Sequence, residues 1–335
     1  MDQYSIYTDR HFYKWPSNHI IYEWEDEISN QLKIPIHNTP YIRGMIPRKV
    51  SGLFRRIIHN DYTDLTIKNG VNKNMRYLYF ESRLKNFRSF SNGEKVIPII
   101  IDFWSKEIAY SINKYYKNCP CILISSLEVF NFLKESNGNL KFIHYPLSLP
   151  DKYHLKPNQT FKKHYDIVLV GRKNPLLWKY LTNYELTHPE IEYLYQELQN
   201  GELYYRNNKK GIVGKYQSRE KYINLIRSAK ISFYSTPGID GDEKRTGGFR
   251  PVTPRFLELL SADCHVIARY QQNEESEFYQ LDSICPSVNS YEEFEKQMDF
   301  AMNSNKLPIK RNSDYLLKHY TSTRIDILKK VLNTI

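Results

Sequence analysis

Short apolar runs alternate with longer amphipathic stretches along most of this chain. KVIPIIIDFW predicts a buried strand over 96–101 that ends at Asp102. CILISS predicts a second strand, after which Ser125 and Ser126 precede the helical pattern LEVFNFLKE. LKFIHYPL predicts a third. Strands apolar on both faces, separated by helices, imply a parallel sheet of the α/β class. Before about Met75 the pattern assigns no elements.

The segment LSLPDKYHLKPNQTFKKH, 147–164, is polar, carries two prolines and lacks periodicity, so it reads as a linker. A second α/β series follows. YDIVLVG predicts a strand that closes on Gly171, and PLLWKYLTNYEL a helix. REKYINLIRSA predicts an amphipathic helix, and KISFYSTPG a strand that runs into a turn. PRFLELLSA and CHVIARY then predict a helix and a strand. NEESEFYQL, YEEFEKQMDFAMN and STRIDILKKVL predict three further helices.

The chain has 335 residues, enough for two cores of ordinary size. Charged residues make up 25% and apolar residues 41%, the balance of a soluble globular protein rather than a disordered one. No apolar run has transmembrane length, and MDQYSIYTDRHFYKW lacks the apolar core of a signal peptide. A cytoplasmic protein is expected. The 48 Lys and Arg outnumber the 37 Asp and Glu, giving a net charge of +11. That excess suits an anionic partner such as nucleic acid, acidic lipid or a phosphorylated ligand, although Lys-rich composition alone can also produce it. Cys119 and Cys121 flank Pro120, but no second pair matches them, so Cys121 is expected to pack as a small hydrophobe.

In open α/β sheets, ligands bind beyond the carboxyl ends of strands. Three such places stand out. In VGRKNP a strand ends at Gly171, and Arg172 and Lys173 follow, two cations able to neutralise phosphate. In STPGIDGDEKRTGGFRPVTP a long Gly/Pro-rich connection carries Asp240 and Asp242, which suit a turn better than a metal site. At the next helix start, Thr253 is a candidate N-cap and Pro254 suits the first helical position. Free N–H groups and the positive dipole end would favour phosphate there, and Arg255 adds a full charge. Glu258, among leucines, needs a partner. That partner is either Arg255 on the same helix face or the vicinal hydroxyls of a ribose.

These pieces resemble the nucleotide-sugar-binding domain of GT-B glycosyltransferases, of the group whose C-terminal half carries an R-F-x-E motif. The matching segments are IVLVGRKNP, YINLIRSAKISFYSTPG, TPRFLELLSADCHVIARY and SYEEFEKQMDFAMN, in the family's order over 166–303, about 40% of the chain. The resemblance implies two Rossmann-like domains facing a central cleft. It divides the chain into an acceptor-side domain over 1–156, a nucleotide-sugar domain over 157–312, and a final helix over 313–335 that crosses back to the first. It places Gly171, Arg172, Lys173, Arg250, Thr253, Arg255 and Glu258 around the donor, with Glu258 on the ribose. It implies no cofactor and no metal, the nucleotide-sugar being a substrate. Many retaining members carry a second glutamate eight positions before the ribose carboxylate; here that position is Arg250, so a retaining mechanism does not carry over.

An inverting enzyme needs a base for the acceptor hydroxyl. Asp102 is the first candidate, with Glu81 and His144 as alternatives. The expected activity is metal-independent glycosyl transfer from a nucleotide-sugar to a glycan or lipid-linked glycan, in bacterial cell-surface polysaccharide synthesis (O-antigen or capsule). The expected partners include an anionic membrane surface touched peripherally, and exclude nucleic acid. The alternative is a non-catalytic nucleotide- or nucleic-acid-binding protein, supported by the excess cations and 28 tyrosines.

Overall fold

The run VIPII folds as β4 (Val96–Ile100), with every residue buried. A computed structural model describes residues 3–8, 10, 16–38, 75–81, 93–104, 106, 109–216, 218–304 and 308–335. Around β4 stand β1 (Tyr4–Thr8), β2 (Ile36–Asn38), β3 (Arg76–Glu81), β5 (Ile122–Ile124) and β6 (Phe142–His144). They form a parallel sheet in the order β2-β1-β3-β4-β5-β6. Pro98 has no N–H to give to a ladder, and pairing with β5 starts after it, at Ile99. The helices of this half are α1 (Ile20–Leu32), α2 (Ala109–Tyr116) and α3 (Leu127–Ser136). Trp24 of α1 stacks on Phe80 of β3 at 6.2 Å, which seats the helix on the sheet. Cys121 is fully buried and all four cysteines are free thiols.

The second sheet contains β7 (Tyr165–Leu169), β8 (Tyr193–Gln199), β9 (Glu202–Asn207), β10 (Gly211–Gly214), β11 (Ala229–Ser235) and β12 (His265–Arg269). Its order is β10-β9-β8-β7-β11-β12. The parallel expectation holds from β8 to β12 but fails at the edge, where β9 and β10 run antiparallel. The cause is local. Asn200 and Gly201 both have positive φ, 51° and 78°, the geometry of a two-residue hairpin turn, and they send β9 straight back along β8.

The helices of this half are α4 (Pro175–Thr187), α5 (Arg219–Arg227), α6 (Glu243–Thr246), α7 (Pro254–Ser261), α8 (Glu274–Phe278), α9 (Leu281–Ile284), α10 (Tyr291–Asn303), α11 (Ile309–Leu316) and α12 (Thr321–Thr334). Phe256, Leu257, Leu259 and Leu260 bury the body of α7, with Phe256 between the rings of Tyr234 and Tyr315. Each such side chain taken from water contributes roughly 1.5–3 kcal/mol. Within the described residues no helix is long and apolar enough to cross a membrane.

The expected linker is better fixed than its composition implies. Leu147, Leu149, Tyr153 and Leu155 are buried. Leu149 exchanges backbone hydrogen bonds with His319 and Thr321 at 2.8 and 2.9 Å, and Trp24 Nε1 donates to the Ser148 carbonyl at 3.0 Å. The segment is thus held between α1 and the chain end. From there α12 packs along α1 in the first half, where the Tyr4 hydroxyl donates to the Leu332 carbonyl at 2.6 Å.

Two further ties join the halves. Glu275 of α8 accepts from the Ser126 hydroxyl and the Leu127 and Glu128 N–H groups, so a second-half carboxylate caps α3. Glu128 in return accepts from the Arg250 N–H at 2.8 Å. In each sheet, successive connections leave in opposite directions at one point: between β1 and β3 in the first, between β7 and β11 in the second. Such switch points are where open α/β sheets open a crevice for ligands.

Candidate functional site

A cleft of 260 Å³ opens at the β7/β11 switch point and is walled by both halves. On the second-half side, Arg172 follows β7, Ser235 ends β11, and Thr253, Arg255 and Glu258 come from the start of α7. Opposite them, Asp102 and Trp104 follow β4, and Asn18 precedes α1. Thus Arg172, Thr253, Arg255, Glu258 and Asp102 meet around one space.

Helix α7 is open at its start. Pro254 occupies the first helical position, where its missing N–H costs nothing. Thr253 has the extended backbone of an N-cap, but its hydroxyl makes no capping bond, contrary to expectation. Its own N–H donates to the Tyr234 hydroxyl at 3.1 Å. Pro254 has no N–H and that of Phe256 donates to the Thr253 carbonyl at 3.1 Å, so the Arg255 N–H and the positive dipole end stand at the cleft without a side-chain cap.

Gly171 allows the cations to gather. Its φ is +74°, and a Cβ there would lie 1.9 Å from Arg255 Nη2. Arg255 lies across that glycine, so Arg255 and Arg172 share the mouth of the site. Burial and the neighbouring Arg255 push the Arg172 guanidinium down, and Asp242 at 3.1 Å offsets this only in part. The same Asp242 takes a two-pronged contact from Arg245, whose guanidinium also stands 4.2 Å from the centre of the Trp104 ring. Asp240 is held by Arg269 and by Asn174. Both aspartates of the Asp-Gly-Asp turn thus serve to place arginines. Among the described residues, no cluster of three His, Cys, Asp or Glu stands close enough to hold a metal ion.

Glu258 is 2% exposed and is not paired with Arg255. Its Oε1 lies 2.6 Å from Arg219 Nη2, and its Oε2 accepts from the Tyr222 hydroxyl at 3.2 Å. Burial and the Glu258 charge push the Tyr222 phenol up, which keeps it a donor.

Four expected site residues stand elsewhere. Lys173 turns away from the cleft and lies over the rings of Trp178 and Tyr195, 4.0 and 4.5 Å from their centres. Two aromatic faces beside an exposed turn hold it there. Arg250 is not among the cleft residues, because its backbone is anchored to Glu128 on α3. Glu81 is buried at the end of β3 and does not line the cleft. His144 packs between the rings of Phe130 and Phe278, and burial pushes its imidazole down to about 4. The ring is held in the core and does not line the cleft.

Arg219, Tyr222, Trp104 and Arg245 are site residues that the sequence reading missed. Arg219 and Tyr222 lie three apart at the start of α5, on one helix face, and that spacing was the available signal. Nothing in the sequence ties Trp104 to Arg245, since they meet only across the cleft.

No family model and no curated protein sequence matches the chain. Solved structures do match its fold. Trehalose-6-phosphate synthase OtsA superposes with a TM-score of 0.55 at 12% identity, over 97% of this chain and 84% of its own. The pneumococcal O-GlcNAc transferase GtfA, solved with UDP and GlcNAc, gives 0.52 at 9%, over 82% of this chain and 60% of its own. The S. aureus protein TarM, solved with fondaparinux, α-GlcNAc-glycerol and UDP, gives 0.51 at 9%, over 80% and 52%. The chain thus spans little more than half the length of GtfA and TarM. At such identities the likeness is one of fold: this chain has the two-domain GT-B architecture.

Proposed function

We propose that this chain is a glycosyltransferase that moves a sugar from a nucleoside-diphosphate sugar to a hydroxyl group of a glycan. The observation that carries this reading is the meeting of Glu258, Arg255 and Arg172 on one wall of a cleft whose other wall carries Asp102. Each has a part suited to its chemistry. The Glu258 carboxylate accepts from the ribose hydroxyls. Arg172, Arg255 and the open start of α7 hold the diphosphate and stabilise the charge that grows on it as it leaves. Asp102 takes the acceptor hydroxyl proton, the acceptor oxygen bonds to the anomeric carbon, and the bond from that carbon to the diphosphate oxygen breaks. On this reading arginines neutralise the leaving group, and no bound metal takes part.

GtfA and TarM were each solved with UDP, which makes UDP-sugars the first donors to try. The acceptor we propose is a lipid-linked glycan of a cell-surface polysaccharide. The net charge of +11 would hold the protein against an anionic membrane from the cytoplasmic side. The test incubates the chain with radiolabelled UDP-sugars and lipid-linked glycans on anionic vesicles, with and without EDTA. The reading predicts labelled glycan in both conditions. Nucleotide binding with no transfer to any acceptor would leave the chain a binding protein and refute the enzyme.

A further inference from the structure

Glu258 is held from behind by a residue that does not line the cleft. Arg219 is the first residue of α5, 8% exposed, and its guanidinium lies between two carboxylates from different halves. Its Nη2 stands 2.6 Å from Glu258 Oε1, and its Nε donates to Glu23 Oε2 of α1 at 3.1 Å. The rings of Tyr153 and Tyr222 flank the guanidinium, 5.6 and 5.4 Å from its carbon.

The charges assign the arginine to Glu258. Glu23 has a countercharge of its own, Lys152 Nζ at 2.7 Å from Oε1, and the Tyr153 hydroxyl on the same oxygen. Among the described residues, Arg219 is the cation paired with Glu258. A buried carboxylate without a countercharge is costly. An ionised carboxylate offers about four acceptor sites, two on each oxygen. Arg219 is the ion-pair partner at Oε1, and the Tyr222 hydroxyl donates to Oε2. Both oxygens keep acceptor capacity, and Glu258 lines the cleft. Two adjacent acceptors match the two hydroxyls of a vicinal diol.

We propose that Arg219 is the positioning residue of the donor site: it aims Glu258 at a ribose diol and, through Glu23, fixes that carboxylate to the first half. This rests on the reading of the cleft as a donor site. Arg219 touches no substrate itself. Its loss should be felt at the diol and not at the diphosphate.

The test measures binding of UDP, GDP and ADP, each beside its 2′,3′-dideoxy counterpart, by calorimetry. Wild type should prefer the ribose form of one nucleotide by about tenfold or more, the worth of one or two hydrogen bonds to a charged group. Arg219→Met should remove most of that preference and leave the dideoxy affinity within about twofold. Arg219→Lys, which keeps the charge but not the fork, should fall between. If thermal melting shows that Arg219→Met does not fold, Arg219→Lys and Glu23→Gln carry the comparison, and both should lower the preference. An equal loss for both nucleotide forms, or no loss in any variant, would overturn the proposal. Failure of the underlying reading looks different: wild type would bind no nucleotide, or show no ribose preference. A preference that Glu258→Gln abolishes and Arg219→Met keeps would defeat the role of Arg219 alone.

Discussion

Arg255 lies directly over Gly171, so closely that a single methyl group at 171 would stand 1.9 Å from its Nη2. The glycine also holds φ +74°, where a side chain adds strain. Gly171→Ala should therefore displace Arg255 from the cleft and strain the end of β7. The expected cost is about 1–3 kcal/mol of stability, read as a lower melting temperature. Affinity for nucleoside diphosphate should fall about tenfold, measured on protein that is still folded. Unchanged affinity would mean that Arg255 has no part in holding the diphosphate.

The adjacent cations Arg172 and Lys173 part ways in the structure, and binding should part them too. Arg172 reaches the cleft, while Lys173 lies over Trp178 and Tyr195. Arg172→Ala should weaken diphosphate binding about tenfold, and Lys173→Ala should change it less than about twofold. The check is a titration of each variant with the same nucleotide at two salt concentrations. Equal losses would put both cations on the ligand.

Much of the second half was legible because its strands and helices are punctuated locally. Asn174 caps α4 with bonds of 3.0 Å to Leu176 and Leu177, and Pro254 opens α7, both signals present in the residues themselves. The β8–β9 hairpin carries a local signal as well: Asn-Gly at 200–201, both with positive φ, marks a tight turn. The partner of Glu258 was not legible. Helical spacing favoured Arg255, three residues away, and the structure supplies Arg219 from another helix. Sequence periodicity reports which face of a helix is buried, not what packs against it. The same limit applies to Lys173 and His144, whose positions are set by rings from other elements.

Asp102 is the carboxylate that follows β4 on the wall facing Arg172 and Arg255. As the proposed general base it should be needed for turnover but not for donor binding. Asp102→Asn is expected to lower kcat by about 100-fold or more while leaving nucleotide affinity unchanged. A matching drop in affinity, with kcat intact, would remove it from the chemistry.

The cap that Glu275 places on α3 should make the joint between the halves sensitive to pH. Burial pushes the Glu275 carboxyl up to about 7 from an ordinary 4.5, so between these values the folded chain binds a proton that the unfolded chain has lost. Its contribution is complete below about 4.5 and is lost as pH rises through about 7. Glu275→Gln removes this titration. The melting temperature of wild type minus that of the variant should therefore decline from pH 4.5 to pH 7.5. A difference that is flat or rises with pH would contradict the burial of an ionisable group at this joint.

In the proposed donor site, Glu258 binds the ribose of a nucleoside diphosphate. Calorimetric titration of wild type and Glu258→Gln with UDP, GDP, ADP and TDP tests it most directly. One nucleotide should bind wild type, and the variant, folded by its melting curve, should bind it about tenfold or more weakly. Equal affinity in the two proteins, or no binding to wild type by any of the four, would contradict it.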